Sequence, residues 1–129
     1  MSTFLLRIVT PDGEKYKGEA EKLFFRASDG DVGIMANHAD YIAAVDICHV
    51  RIITGAEELS AICGGGFITF YSNTASLVCD TFVLKENINK EEVMSELEEA
   101  EKKLLEAKNP REKGILNSQI KRLKLYMEI

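Results

Sequence analysis

The stretch SLVCDTFVLKENINKEEVMSELEEAEKKL, residues 76–104, contains the point at which the chain changes its hydrophobic period. Up to residue 84 the apolar side chains form short runs rich in Val, Leu and Phe, which is typical of β-strands. After Glu86 the apolar residues recur at steps of three and four, which is typical of one face of a helix. We therefore predict one domain over residues 1–85 and a second over residues 86–129.

The first domain consists of short apolar runs separated by turn residues. The runs lie at residues 4–10, 22–27, 47–54, 59–64, 67–72 and 76–84. Many short strands at this spacing are typical of a sandwich or barrel. We predict an N-terminal antiparallel β-sandwich, with a mixed α+β domain as the second choice.

The second domain contains two apolar stripes of helical period. Asn89 can cap the first helix, and Asn109-Pro110 interrupts the pattern, because the residue before proline is pushed away from helical angles. The stripe positions are Val93, Leu97, Ala100 and Leu104, then Leu116, Ile120, Leu123 and Met127. Two matched stripes joined by a tight break predict a C-terminal antiparallel helical hairpin.

Charge is divided unevenly between the two predicted helices. Residues 86–108 carry eight acidic and four basic side chains, whereas residues 110–129 carry five basic and two acidic ones. One interpretation is complementarity within the hairpin together with solvated outer faces. The other is that Lys121, Arg122 and Lys124 face an acidic partner, and the sequence leaves both open.

Composition excludes several classes of protein. The 129 residues are 46% hydrophobic and 29% charged with a net charge of −5, which argues against a nucleic-acid surface. No apolar run approaches the roughly 20 residues of a membrane span, and the first residues lack the pattern of a signal peptide. Cys48, Cys63 and Cys79 lie singly inside apolar runs, so we expect buried thiols in a reducing, cytoplasmic compartment.

The motifs that suggest chemistry are incomplete. In SDGDVGIMANHADYI, residues 28–42, Asp29 and Asp31 lack the further ligands of a calcium loop, and His38 lacks zinc-ligand spacing. The triplet Gly64-Gly65-Gly66 lacks the Lys and Ser/Thr of a phosphate loop and is better explained by a bulge or a close approach of backbones. We therefore predict no catalytic group and no metal site.

Contact with another protein is the remaining role for residues 28–42. Ser28 to Asp31 are of residue types that favour turns, and the mostly apolar segment from Val32 to Met35 follows directly. Exposed carboxylates beside apolar groups on a rigid sandwich could dock a partner. A loop that merely completes the core is an equal alternative at this point.

Taken together, these residues resemble the family of ε subunits of the F-type ATP synthase. The most specific part is the run from Ser28 to Ile34 followed by His38-Ala39. The glycines before Phe67 and the aspartate at Asp80 also resemble family positions. The order and spacing of these motifs over nearly the whole chain carry the resemblance.

The resemblance implies a sandwich of about ten strands and a role as a non-catalytic rotor subunit. In that family the sandwich binds the foot of the γ shaft and rests on the polar loops of the membrane c-ring. The residues that would face the c-ring are Ser28, Asp29, Gly30, Asp31, Val32 and Gly33. His38 would lie near the γ contact.

The resemblance also implies a regulatory hairpin. Opened, its roughly 40 residues would reach about 60 Å as helix and could enter the α/β head to inhibit ATP hydrolysis. Lys121, Arg122 and Lys124 would then meet an acidic segment of the β subunit.

Family members that bind ATP on the hairpin carry an I/L-D-x-x-R-A signature. The corresponding residues run from Ile88 to Val93, with Asn89 in place of the aspartate and Glu92 in place of the arginine. A glutamate repels phosphate, so we expect no ATP site and no cofactor.

The resemblance places the chain at the cytoplasmic face of the bacterial cell membrane as a peripheral part of the synthase, without membrane insertion and without nucleic acid. Two alternatives come from other classes of protein. One is a small β-fold enzyme or ligand-binding module, which would need converging polar groups. The other is an adaptor that dimerises through the hairpin.

Overall fold

The computed structural model describes residues 2–129 and contains eight strands followed by two α-helices. The strands are β1 (Phe4–Thr10), β2 (Gly13–Ala20), β3 (Lys22–Ala27), β4 (Gly30–Met35), β5 (Tyr41–Thr54), β6 (Glu57–Tyr71), β7 (Thr74–Cys79) and β8 (Phe82–Leu84). A 3-10 turn (Lys85–Asn87) leads to helices α1 (Lys90–Glu106) and α2 (Pro110–Glu128). The predicted order of a sandwich and then a hairpin is confirmed.

Two long strands connect the layers of the sandwich. The strand order is β2-β1-β7-β6-β5-β3-β4, and β8 pairs with β6 on the same edge as β7, opposite the edge that pairs with β5. The first half of β6 pairs with β8 and its second half pairs with β7, while β5 follows it throughout. The long strands β5 and β6 each run through both layers and count as one strand apiece. The sandwich therefore has eight strands, whereas about ten were expected. All pairs are antiparallel except β1 with β7.

Two strands were missed in the sequence. β2 is an edge strand in which half of the residues are charged, and its residues other than Tyr16, Gly18 and Ala20 are exposed, so its apolar signal is weak. β4 was interpreted as a loop because Gly30 and Gly33 interrupt it. Its side chains nevertheless alternate, with Ile34 fully buried, and it pairs with β3 along its whole length.

The glycine triplet lies where β6 passes from one layer to the other. A Cβ on Gly66 would lie against the Val78 carbonyl oxygen and 2.7 Å from Cys79 Cα. Gly65 has a φ of +91°, a backbone conformation that residues other than glycine rarely adopt. The predicted close approach of backbones is therefore confirmed.

The sandwich core contains the three cysteines. Cys48, Cys63 and Cys79 are free and buried, as expected. Burial raises the pKa of the Cys48 thiol to about 11, so the protonated form dominates at neutral pH. A hydrogen bond from the Cys63 thiol lowers the pKa of Cys79 and raises that of Cys63.

The helices begin at asparagine caps. Asn89 Oδ1 accepts hydrogen bonds from the backbone N–H groups of Glu91 (3.1 Å) and Glu92 (3.3 Å), which confirms the predicted cap. Asn109 Oδ1 accepts from the Glu112 N–H at 2.7 Å, and Pro110 occupies the first turn of α2. Such caps satisfy donors that have no partner within the helix.

The hairpin is folded back on the sandwich. Its stripes pack against each other and against Ile62 of β6, which points away from the sandwich core, unlike its neighbours Ala61 and Cys63. At the end of α2, Tyr126 is buried and Met127 is only half-buried. The last buried position of the stripe is therefore one residue earlier than predicted. Neither described helix is both long and apolar enough to cross a bilayer.

Candidate functional site

The six residues expected at the c-ring lie on one β-hairpin. Ser28 and Asp29 form its two-residue turn, because Ala27 at the end of β3 pairs with Gly30 at the start of β4. Gly30 has a φ of +139°, which favours glycine there. Ser28 and Asp29 are exposed, so the turn is a polar tip at one end of the sandwich.

The strand behind this turn is held close to its neighbour. Gly33 faces Phe24 of β3, and a Cβ on Gly33 would lie 3.0 Å from the Phe24 ring. Asp31 lies 3.7 Å from the guanidinium of Arg26, but both side chains are largely exposed, so the pair contributes little. Val32 is half-buried against the core. The turn is thus stiff because of backbone pairing and packing.

His38 lies at the other end of β4, about 20 Å from the turn at the usual rise per residue. Its Nδ1 donates to the Ala39 carbonyl oxygen at 2.7 Å, and its ring packs edge-on against Tyr41 and Phe70. Asn73 fixes the same loop by accepting from the Asn37 N–H. The structure therefore does not bring His38 together with the c-ring candidates.

The sequence interpretation missed an exposed apolar face. Ile42, Phe67 and Val78 are 74%, 63% and 57% exposed. Phe67 lies directly between Ala44 of β5 and Val78 of β7 in the register, and Val78 lies beside Val9 of β1. These side chains share the outer surface of one layer, which we call the apolar face (Val9, Ile42, Ala44, Phe67 and Val78).

A signal for this face is present in the sequence. Ile68 and Phe70 point into the core, as does Leu77, while Phe67 and Val78 alternate with them and are also apolar. A strand with apolar residues on both faces is covered on both sides or binds a partner. Strand segments in which apolar residues do not alternate with polar ones could therefore have indicated this surface in the sequence.

The three basic candidates of α2 are separated by the fold. Lys121 and Lys124 are exposed, whereas Arg122 is half-buried at the junction with the sandwich. The Arg122 guanidinium carbon lies 5.8 Å from the centre of the Tyr126 ring. In the folded-back hairpin, Arg122 is thus not presented to a partner as the two lysines are.

The residues aligned with the nucleotide signature have local roles. Asn89 uses its side-chain oxygen to cap α1, and Glu92 is an exposed carboxylate in the first turn. Carboxylates there favour the positive end of the helix dipole. Within residues 2–129, no three His, Cys, Asp or Glu side chains come together in a way that could hold a metal ion.

Structural comparison supports the fold at low sequence identity. A chain in the cryo-EM structure of the Euglena gracilis mitochondrial ATP synthase, OSCP/F1/c-ring in rotational state 1, matches with a TM-score of 0.80 at 16% identity, covering 98% of this chain and 82% of that one. A chain in the Tetrahymena thermophila mitochondrial ATP synthase central stalk/c-ring structure matches with a TM-score of 0.64 at 10% identity, covering 96% and 93%. Both matches extend over nearly the whole of this chain.

Sequence comparison is more specific. Residues 3–85 match the family described as ATP synthase, Delta/Epsilon chain, beta-sandwich domain. The ATP synthase epsilon chain of Ligilactobacillus salivarius is 34% identical over 84% of this chain and 78% of its own length. That of Pediococcus pentosaceus is 32% identical over 98% of this chain and 88% of its own. The chain belongs to the family of ATP synthase epsilon chains.

Proposed function

We propose that this chain is a non-catalytic central-stalk subunit, part of the rotor of an F-type ATP synthase, and that it couples the γ shaft to the c-ring during ion-driven ATP synthesis. The observation that carries the proposal is the match to bacterial epsilon chains, which extends in one relative over 98% of the chain. The catalytic sites would lie on other subunits. The complex would hold the chain at the cytoplasmic face of the cell membrane.

The apolar face is the surface that best fits the γ subunit. It is wide and formed by paired strands, so it can transmit torque without the slack of a loop. Large exposed apolar patches mark protein contacts. His38 lies in the loop that leads into β5, the strand that carries Ile42 and Ala44, so it can border the same contact.

The turn of the β3–β4 hairpin would meet the polar loops of the c-ring. Residues Ser28 to Gly33 present hydroxyl and carboxylate groups on a rigid base, which suits a polar partner. This contact requires no insertion into the bilayer. The γ contact and the c-ring contact would thus use different parts of the sandwich.

The hairpin would inhibit ATP hydrolysis when it leaves the sandwich. In that state Lys121, Arg122 and Lys124 would meet an acidic segment of the β subunit in the α/β head. Arg122 would become available only after undocking, since it now lies in the junction. A dimerising hairpin is not favoured, because the stripe residues already pack on each other and on Ile62.

Phe67→Asp tests the γ contact. We expect it to weaken binding to the cognate γ subunit at least about tenfold, because a charge replaces a central apolar side chain of the interface. Folding should be unchanged, since Phe67 is 63% exposed. Titration of γ by calorimetry measures the affinity, and circular dichroism measures the thermal midpoint.

The matched control is Leu105→Asp, which alters an apolar residue of α1 that is 88% exposed and lies away from the apolar face. It should bind γ as the wild type does. Wild-type affinity in the Phe67 variant, or an equal loss in both variants, would contradict the assignment of this face.

A further inference from the structure

An open cleft lies between α2 and the bend that joins β7 to β8. It measures about 620 Å³ and separates the first half of α2 from the glycine-rich part of β6. Gly64 and Asp80 line it from the sandwich, and Ser118, Gln119 and Arg122 line it from α2. The hairpin and the sandwich therefore fit less closely here than around Ile62.

Two buried polar atoms without partners lie beside this cleft. Arg122 Nε and Thr81 Oγ1 are the buried side-chain polar atoms that lack a hydrogen bond among residues 2–129. Thr81 stands next to Gly64, since a Cβ on that glycine would meet the threonine hydroxyl. No described carboxylate comes within 4.0 Å of Arg122. Burying such a donor without a partner is unfavourable.

We propose that Arg122 destabilises the docking of the folded-back hairpin on the sandwich. In the docked state its Nε–H is removed from water and gains no acceptor. In the undocked state the same group is hydrated, so Arg122 lowers the stability of docking without altering the sandwich. The inference rests on the proposed function in taking undocking as the route to the inhibitory state.

The contact with Tyr126 does not offset this cost. Arg122 and Tyr126 are four residues apart on the same helix, so their stacking does not require the sandwich. It persists when α2 leaves the sandwich as a helix. Docking is favoured instead by the apolar side chains Ile120, Leu123 and Tyr126, which pack in the cluster that includes Ile62.

Arg122→Met and Arg122→Lys test the inference together. Both remove the Nε–H donor and keep a long stem with similar helix propensity, while only the lysine keeps the charge. We expect each to lower the equilibrium constant for hairpin opening about fivefold. A helix without tertiary packing is only marginally stable in water, so the amides of α2 exchange from the undocked state. Their exchange in the isolated 129-residue chain therefore measures that constant.

Lys124→Met is the matched control, since Lys124 is exposed on the same helix and loses the same charge. Its exchange should equal that of the wild type. Unchanged or faster exchange in the two Arg122 variants overturns the inference, and slower exchange in the methionine variant alone assigns the effect to charge and overturns it too. Because no γ subunit is present, the result is independent of the test with Phe67→Asp.

Discussion

Replacing Gly66 by alanine is expected to lower the free energy of unfolding by more than about 4 kcal/mol, a large part of the stability of a domain of this size. The added methyl would meet the Val78 carbonyl oxygen and the Cys79 Cα, which are backbone atoms. Neither can move without breaking the pairing of Gly66 with Cys79 between β6 and β7. The substitution therefore destabilises the region in which β6 passes from one layer to the other.

Gly114→Ala is the matched control for this substitution. Gly114 lies in α2, where an added Cβ would meet no atom within 4 Å apart from those of the adjoining helix backbone. Alanine should stabilise the helix by about 0.5–1 kcal/mol because it has less conformational freedom to lose. Urea unfolding followed by circular dichroism measures both variants. Wild-type stability in the Gly66 variant would mean that β6 and β7 can separate at little cost.

The elements that could be predicted from sequence are those with a strong local signal. The asparagine caps and the stripes around Ala100 and Ile120 are decided within a few turns of helix, so their periodicity predicts them. β2 could not be predicted because its charged side chains face solvent and it is held by pairing with β1. β4 was missed because its glycines serve a tight turn and the close approach to Phe24.

The candidate surfaces also divide into those that local sequence predicts and those that depend on tertiary structure. The turn at Ser28 and Asp29 follows from turn chemistry, and its position between two paired strands agrees with that local reasoning. The apolar face depends on register, since Phe67 becomes the neighbour of Val78 only after β6 pairs with β7. The buried position of Arg122 depends on how the hairpin lies on the sandwich, and no periodicity within α2 indicates it.

The two hydrophobic clusters meet at β6 and at the short strand β8. Ala61 and Cys63 belong to the sandwich core, whereas Ile62 between them belongs to the cluster of the hairpin. Alternation along a strand sends neighbouring side chains to opposite faces, so β6 can serve both clusters at once. The stability of the sandwich and the docking of the hairpin should therefore be separable by substitution.

Ile62→Asp should release the hairpin and leave the sandwich folded. The change removes about 1.5–3 kcal/mol of apolar burial and adds the cost of a buried carboxylate, both of which are avoided if the helices undock. The aspartate would then lie on a hydrated sheet surface. Limited proteolysis should cut within α1 and α2 much faster than in the wild type, while the strand signal in circular dichroism remains.

Ile68→Asp is the matched control, since Ile68 is equally buried on β6 but points into the sandwich core. Its carboxylate has no route to water short of unfolding, so we expect loss of the strand signal as well as rapid proteolysis throughout the chain. If Ile62→Asp unfolds the sandwich to the same extent, docking and core stability are one cooperative unit. Protected helices in that variant would instead mean that docking does not depend on Ile62.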